Sequence, residues 1–257
     1  MAVGTARIRA WLRTMKYADH NEIARAAAMD FIHRLVPRCQ EMLGTDLLGA
    51  YAIGSVAHSG FSRRYSDVDM ALVTTAGLSA GTLDRLRGEA IALSPEWGGK
   101  VSVFWTDRHF SCGRFPPLDR VDYLDHAIVL VERESVRPAR PELEEIRWYL
   151  RGAPFESWVE RARGFAAAAT LAGKDHKTYL RTLLYPARLC YSWMTGRMGS
   201  NDDAVVFLSE RNAAGIDVAL IERALQCRQA AADPDDLFSA RAMLPPHIDA
   251  CAALLAT

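Results

Sequence analysis

The sequence lacks both an excess of charge and a long apolar run. Its 257 residues include 31 Lys and Arg against 31 Asp and Glu, so the formal net charge is zero. Proteins that bind long nucleic acids through the phosphates usually have more Lys and Arg than Asp and Glu. The net charge of zero therefore disfavours nucleic acid as a partner. No stretch approaches the roughly 18 consecutive apolar residues that a membrane-spanning helix needs, so we expect no membrane partner.

Paired cysteines are also absent. The chain has five cysteines, widely spaced and without a Cys-x-x-Cys pair, which disfavours a zinc site and a disulfide framework. They are Cys39, Cys112, Cys190, Cys227 and Cys251. The first residues carry several basic side chains and no continuous apolar core, unlike a signal peptide. Because free thiols fit a reducing compartment, we expect a cytoplasmic protein.

The hydrophobic pattern divides the chain into two parts. Before about residue 115, strand-like runs alternate with helical periodicity, which predicts a small mixed sheet with helices packed on one side. After that point only helical segments follow, separated by Gly and Pro. Pro37 is expected to break or kink the first helix. The predicted strands span 47–53, 67–74 and 100–106, and the predicted helices include 21–43, 79–93 and 119–134.

A Gly-Ser pair and an Asp-x-Asp pair lie on neighbouring predicted strands. Gly54-Ser55 ends the first apolar run, and Asp67 and Asp69 open the second after a gap of eleven residues. Because side chains alternate along a strand, the two carboxylates point to the same side. The solvated face of a hairpin could also carry two aspartates, but it does not explain the apolar residues between and after them.

Two carboxylates on one side of a strand repel each other unless a cation lies between them. Mg²⁺ suits such a place, because it takes one or two carboxylates together with phosphate oxygens and keeps several waters. The Gly-Ser turn offers backbone N–H groups and a hydroxyl to phosphate. The pattern therefore predicts metal-assisted attack on a nucleoside triphosphate.

This pattern resembles the signature of nucleotidyltransferases of the DNA polymerase β type, in which an apolar strand, Gly-Ser, a short gap and Asp-x-Asp follow one another. Two later stretches, 122–130 and 185–197, are similar to helices of the aminoglycoside 3″-adenylyltransferases, the streptomycin and spectinomycin resistance enzymes. The second stretch carries Ala187-Arg188 and Thr195-Gly196. The three segments are collinear from about residue 45 to 257.

The resemblance implies an α+β fold in two domains. A nucleotidyltransferase domain with a polymerase β-like mixed sheet would span 1–118, and an all-α helical domain would span 119–257. The implied reaction moves AMP from ATP, with Mg²⁺ as the cofactor, to a hydroxyl of a small molecule, in the setting of antibiotic resistance.

The resemblance also assigns site residues. Asp67 and Asp69 match the catalytic metal ligands. Asp125 could instead be a surface helix residue, and Arg188 an ion-pair partner between domains. The positions that match nucleotide-contacting residues are Gly54, Ser55, Ser66, Asp125 and Arg188.

The sequence departs from the family pattern at two positions. Ser102 aligns with a catalytic glutamate on the third strand, and a neutral serine is a poor proton acceptor. Asn201 stands where the family has a nucleotide-binding lysine, which removes a positive charge that Arg197 could supply instead. The metal alone could suffice for the reaction, or Asp107 or Asp175 could replace the missing carboxylate.

Three hypotheses remain open at this stage. The first is an active adenylyltransferase, the second a catalytically degenerate protein that binds nucleotide or regulates a partner, and the third a transferase that acts on a macromolecule. The second half of the chain is rich in Arg, which favours a neutral or anionic acceptor over a polycationic aminoglycoside. The acceptor itself, the nucleotide preference and the oligomeric state do not follow from the sequence.

Overall fold

A computed structural model describes residues 2–171, 175–211, 215–229 and 233–256, without the side chains of 2–19 and 153. It has the expected α+β class, with one four-stranded mixed sheet and many helices. The chain divides into two compact units. The first, the sheet unit, spans 22–141, and the second, the helical unit, comprises 142–257 together with 1–21.

The sheet unit contains four strands in the order β3-β2-β1-β4. β2 pairs with β3 in parallel, whereas β1 pairs with β2 and with β4 in antiparallel fashion. The three strands that the sequence predicted are confirmed to within about two residues at each end. The elements are α1 (Ala2–Leu43), β1 (Leu47–Ala52), β2 (Val68–Thr74), α2 (Ala80–Leu93), α3 (Pro95–Gly98), β3 (Val101–Asp107), α4 (Pro117–His126) and β4 (Ile128–Glu132).

Helices pack on both faces of the sheet, not on one as the sequence analysis expected. Phe31 of α1 and Leu86 of α2 belong to the apolar cluster on one face, which also takes Met70 of β2. The other face forms a second cluster with Val73 of β2 and Tyr123 of α4. The alternation along β2 therefore separates two cores, and α4 covers the face on which the odd-numbered residues of β2 lie.

Two local expectations differ from the structure. α1 runs without interruption through Pro37, so this residue does not break the helix, and a kink there stays a prediction. The predicted helix 119–134 is a shorter helix, α4, followed by the edge strand β4. An apolar run directly after a helix has no turn residue to mark the change, so periodicity alone cannot separate the two.

The boundary between the units lies at 141/142 rather than at 118/119. The physical reason is strand pairing: Ala52 of β1 lies opposite Ile128 of β4, which ties the segment after residue 118 to the sheet. The compact sheet unit thus includes residues 119–141, whereas the division into functional domains at 118/119 stays a prediction.

Among the described residues after Pro141, the helical unit contains seven α-helices. Several of these helices begin with the capping residues or prolines that are common at helix N-termini. Asp217 accepts a hydrogen bond from the N–H of Leu220 at the start of α9, and Pro245-Pro246 lie in the first turn of the last helix. No described helix combines the length and apolar composition needed to cross a membrane. The helices are α5 (Leu143–Arg151), α6 (Ala153–Ala167), α7 (His176–Thr195), α8 (Asn201–Arg211), α9 (Val218–Arg228), α10 (Pro234–Phe238) and α11 (Leu244–Leu255).

Candidate functional site

The Gly-Ser turn packs directly against the second aspartate. β1 ends at Ala52, and Gly54 adopts a left-handed backbone with φ of 65° that L-residues with a side chain rarely take. A Cβ atom on Gly54 would lie 2.6 Å from Oδ2 of Asp69, too close for any real contact. Glycine is therefore required here by the close approach of the carboxylate as well as by the backbone conformation.

Asp67 and Asp69 flank a buried valine at the start of β2. Val68 and Met70 are buried while Asp67 and Asp69 are only partly so, which confirms the alternation read from the sequence. The carbonyl of Asp69 accepts a hydrogen bond from the N–H of Ile53 at 3.1 Å, so the strand backbone fixes the carboxylate beside the turn. The carboxylate of Asp69 thus lies beside the glycine turn, and Asp67, two residues earlier, is also partly buried. Carboxylate oxygens are the donors that a hard divalent cation prefers.

Two serines join the turn to the segment before the aspartates. The hydroxyl of Ser55 donates to the hydroxyl oxygen of Ser66 at 3.1 Å. The same oxygen of Ser66 accepts from the N–H of Ser62 at 2.9 Å. The predicted phosphate-contacting residues Gly54, Ser55 and Ser66 are thus held together with Asp69 in one part of the sheet unit.

Asp122, which the sequence analysis did not select, anchors the turn from α4. Its Oδ2 accepts a hydrogen bond from the N–H of Gly54 at 2.9 Å, and the residue is only 3% exposed. A buried carboxylate is costly without donors or a counter-charge. The N–H of Gly54 is one such donor, and the imidazole of His58 is also near, with its Nε2 3.6 Å from Oδ1 of Asp122. The ring of His58 lies 5.3 Å from that of His126.

The two other nucleotide-contact candidates make contacts of their own. Asp125 of α4 forms an ion pair with Arg140, including a hydrogen bond from Nη1 to Oδ2 at 3.3 Å. Arg188 lies on α7 of the helical unit, where its Nε donates to the carbonyl of Gly199 at 2.9 Å and its Nη2 lies 3.7 Å from Sδ of Met198. Their contact with nucleotide stays a prediction.

Ser102 stands beside Asp69, as the alignment of the third strand predicted. The parallel register places Ser102 of β3 opposite Asp69 of β2. Neighbouring strands are about 4.8 Å apart, and paired residues of a parallel ladder point to the same face. A hydroxyl therefore occupies the place at which a third carboxylate would complete the donor set.

Asp107 cannot replace that carboxylate. The register puts it opposite Thr74, five residues further along β3 than Ser102, which corresponds to about 16 Å. Its Oδ1 accepts hydrogen bonds from the N–H of His109 at 3.2 Å and of Ser111 at 2.8 Å. Hydrogen bonds from Ser111 hold the pKa of Asp107 below its usual value. The side chain caps a turn at the far end of the strand. The other alternative, Asp175, lies directly before α7 in the helical unit.

A second group of potential ligands lies in the helical unit. The ligand atoms of His176, Asp233 and Asp235 lie within 4.8 Å of one another. Nε2 of His176 is 3.0 Å from Oδ1 of Asp235, and Oδ1 of Asp233 caps α10 by accepting from the N–H of Asp235 at 3.0 Å. These bonds account for the cluster without an ion.

The site residues that sequence reasoning missed are Asp122 and His58. Both were visible: His58 follows the Gly-Ser pair by three residues, and Asp122 precedes Asp125 by three residues on the same helix. The resemblance directed attention to Asp125. Which of two aspartates one turn apart faces the sheet depends on the rotation of α4, and its short amphipathic pattern does not fix that rotation.

Comparisons with known proteins identify the fold. No family model matches the chain, and no curated protein matches it at a significant level. A crystal structure of the spectinomycin adenyltransferase AAD(9) from Enterococcus faecialis, with ATP and spectinomycin, is similar with a TM-score of 0.65 and 12% sequence identity. The likeness covers 90% of this chain and 99% of that chain. Together with the mixed sheet, it shows that the chain shares the fold of that solved structure.

Proposed function

We propose that this chain is a Mg²⁺-dependent nucleotidyltransferase that moves AMP from ATP to a hydroxyl of a small molecule. The observation that supports this function most directly is the close packing of Gly54 against the carboxylate of Asp69. The fold is that of a solved adenyltransferase, which supports the same function. A glycine turn with the hydroxyl of Ser55, fixed next to the carboxylate of Asp69, is an arrangement suited to hold a triphosphate with its metal ion.

In this proposal, one group of residues binds the metal and another binds the phosphates. Asp67 and Asp69 would hold Mg²⁺, which when bound neutralises charge on the phosphates and positions them. The hydroxyl of Ser55 would bind the β- and γ-phosphates together with N–H groups of the turn other than that of Gly54, which donates to Asp122. Ser66 accepts from the Ser55 hydroxyl and orients it.

The acceptor hydroxyl would attack the α-phosphorus in line and release its proton to solvent, since no base stands at Ser102. The bond from the α-phosphorus to the bridging oxygen then breaks, and pyrophosphate leaves.

The solved relative supports the choice of substrates. That protein was crystallised with ATP and spectinomycin, so ATP is the proposed donor and spectinomycin is a first acceptor to test. Asp125 and Arg188 remain candidates for nucleotide contact on the resemblance alone. A cytoplasmic location and a role in antibiotic resistance belong to the same proposal.

One observation favours a second candidate, a nucleotide-binding protein without transfer activity. Ser102 stands beside Asp69, and a hydroxyl takes up a proton poorly at neutral pH. The phosphate turn and both aspartates could still bind Mg·ATP in this case.

Pyrophosphate release from ATP tests the proposal. The assay compares spectinomycin, streptomycin, and neutral and phosphorylated polyols as acceptors. We expect Mg²⁺-dependent release with at least one of them, lost in Asp69→Asn and retained in Asp84→Asn, a control on the exposed surface of α2. Absence of release with every acceptor, while Mg·ATP still binds, would favour the second candidate. Release that survives in Asp69→Asn would contradict the assigned site.

A further inference from the structure

An arginine of α1 holds the far end of the Gly-Ser turn. Nε of Arg25 donates a hydrogen bond to the carbonyl of Val56 at 3.0 Å, across 31 positions of the chain. Val56 is the last residue of the short 3₁₀ helix Gly54–Val56, and it is buried in the apolar cluster that includes Ala24 and Ala28 of α1. The turn is therefore joined to α1 both by packing and by a hydrogen bond.

The guanidinium group of Arg25 is itself held in place. Its Nη1 forms an ion pair with Oε2 of Glu22 at 3.3 Å, one helical turn earlier on α1. The side chain of Arg25 is 30% exposed, whereas that of Arg34 on the same helix is 52% exposed. A hydrogen bond from a charged donor is roughly twice as strong as a neutral one, and partial burial strengthens it because less water competes for the acceptor. Arg25 is thus a restrained donor and not an arginine on a solvated face.

Different helices hold the two ends of the turn. At the first residue, the N–H of Gly54 donates to Asp122 of α4, and at the last, the carbonyl of Val56 accepts from Arg25 of α1. α1 and α4 pack on opposite faces of the sheet. Each bond restricts the rotation of one peptide group. The backbone of Ser55, which lies between the two bonds, is therefore restrained from both sides.

A basic side chain at the end of a helical segment often does no more than satisfy a carbonyl group. Two features go beyond such capping here. The donor belongs to another element of the fold, so the bond fixes the position of the turn and not only its end. The turn also carries the hydroxyl of Ser55, and a group that binds a ligand must be held within about 0.5 Å of its productive position.

We propose that Arg25 is a positioning residue for the triphosphate. Through the carbonyl of Val56, it holds the turn in the orientation in which Ser55 meets the β- and γ-phosphates. This inference rests on the proposed function and adds to it a residue of the N-terminal helix. Without the bond the turn populates further orientations, and the affinity falls in proportion to the population of the competent one. The loss of a hydrogen bond to a charged group shifts such a population by about tenfold or more.

Calorimetric titration of the full chain with Mg·ATP tests this role through a double-mutant cycle. We expect Arg25→Ala to weaken binding about tenfold, and Arg25→Lys, which keeps a charged donor, to restore part of it. Because the effect passes through Ser55, the loss on Arg25→Ala should shrink to under about threefold in a Ser55→Ala background. The control Arg34→Ala removes an exposed arginine of α1 and should leave the affinity unchanged. Equal losses in the two backgrounds, or no loss in either, would overturn the proposal.

Amide hydrogen exchange without nucleotide distinguishes failure of this proposal from failure of the proposed function. The N–H groups of Ala57 and His58 donate to the carbonyl of Gly54 at 2.9 and 3.1 Å, and these bonds close the turn. Both amides should exchange about tenfold faster in Arg25→Ala than in Arg34→Ala. Equal exchange rates in the two variants would overturn the proposal whether or not nucleotide binds. Faster exchange in Arg25→Ala, with a parent that does not bind Mg·ATP, would show that Arg25 holds the turn but would contradict the proposed function and a role toward triphosphate.

Discussion

The N–H of Gly54 donates to Oδ2 of Asp122 at 2.9 Å, and this bond links the Gly-Ser turn to a residue of α4, 68 positions later in the chain. A Cβ atom on the same glycine would lie 2.6 Å from Oδ2 of Asp69. The turn therefore lies next to two carboxylates: that of Asp122 accepts from its backbone, and that of Asp69 is the proposed metal ligand.

Loss of the Asp122 carboxylate should loosen this turn. In Asp122→Ala the N–H of Gly54 has no acceptor from α4, so the free energy of unfolding should fall by about 1.5–3 kcal/mol, and Mg·ATP should bind more weakly. Asp122→Asn keeps an acceptor oxygen and should lose less. Urea denaturation and calorimetric titration measure the two effects.

Asp125→Ala is the matched variant one turn further along α4. It breaks an exposed ion pair with Arg140 and should cost under about 1 kcal/mol of stability. If Asp122→Ala is as stable as Asp125→Ala, the anchoring role of Asp122 is wrong.

A side chain at Gly54 should harm the site more than the fold. Gly54→Ala forces alanine into a left-handed conformation, at a cost of about 1–2 kcal/mol, and drives its Cβ against Asp69. We therefore expect a folded protein with greatly weakened Mg·ATP binding. Gly44→Ala is the control, because Gly44 also has a positive φ but no atom within 4 Å of its Cβ position. Equal nucleotide affinity in the two variants would argue against the close packing at Gly54.

The sequence predicted the part of the site that lies on consecutive strands. Asp67 and Asp69 follow the strand period, and the register of β3 placed Ser102 beside Asp69 as expected. It did not reveal that α4 turns Asp122 toward Gly54, because the rotation of a helix is set by packing against the sheet. β4 escaped detection for a related reason: its five residues become a strand only by pairing with β1.

A carboxylate restored on β3 should raise activity. Ser102→Glu places a base beside Asp69, and a positioned general base is typically worth about 10²–10⁴-fold in rate. The measurement is pyrophosphate release with the best acceptor of the parent protein. Ser102→Gln has the same length without the charge and should show no gain. An equal rate in all three proteins would mean that proton removal does not limit the reaction.

The stability of the helical unit should depend on pH through His247. This residue is buried, its Nε2 donates to the carbonyl of Leu183 at 2.9 Å, and burial lowers its pKa below 6.5. Since the unfolded chain binds the proton more readily, the contribution of His247 is complete above pH 6.5 and is lost as the pH falls below that value. His247→Gln cannot titrate, so its unfolding free energy should fall less between pH 7 and 5.

Thermal or urea unfolding at several pH values provides the test. His33→Gln, which removes an exposed histidine of α1, serves as the control and should keep the pH dependence of the parent. A slope in His247→Gln as steep as that of the parent would show that other groups cause the loss of stability in acid.

The most direct test of the metal-dependent nucleotide site is the affinity of Asp67→Asn for ATP, measured by calorimetric titration with and without Mg²⁺. We expect the parent to bind ATP much more tightly with Mg²⁺, and Asp67→Asn to lose this difference while staying folded. Relief of repulsion with Asp69 should leave its stability unchanged or raised by under about 1 kcal/mol. If Asp67→Asn binds Mg·ATP as tightly as the parent, Asp67 and Asp69 do not hold the metal.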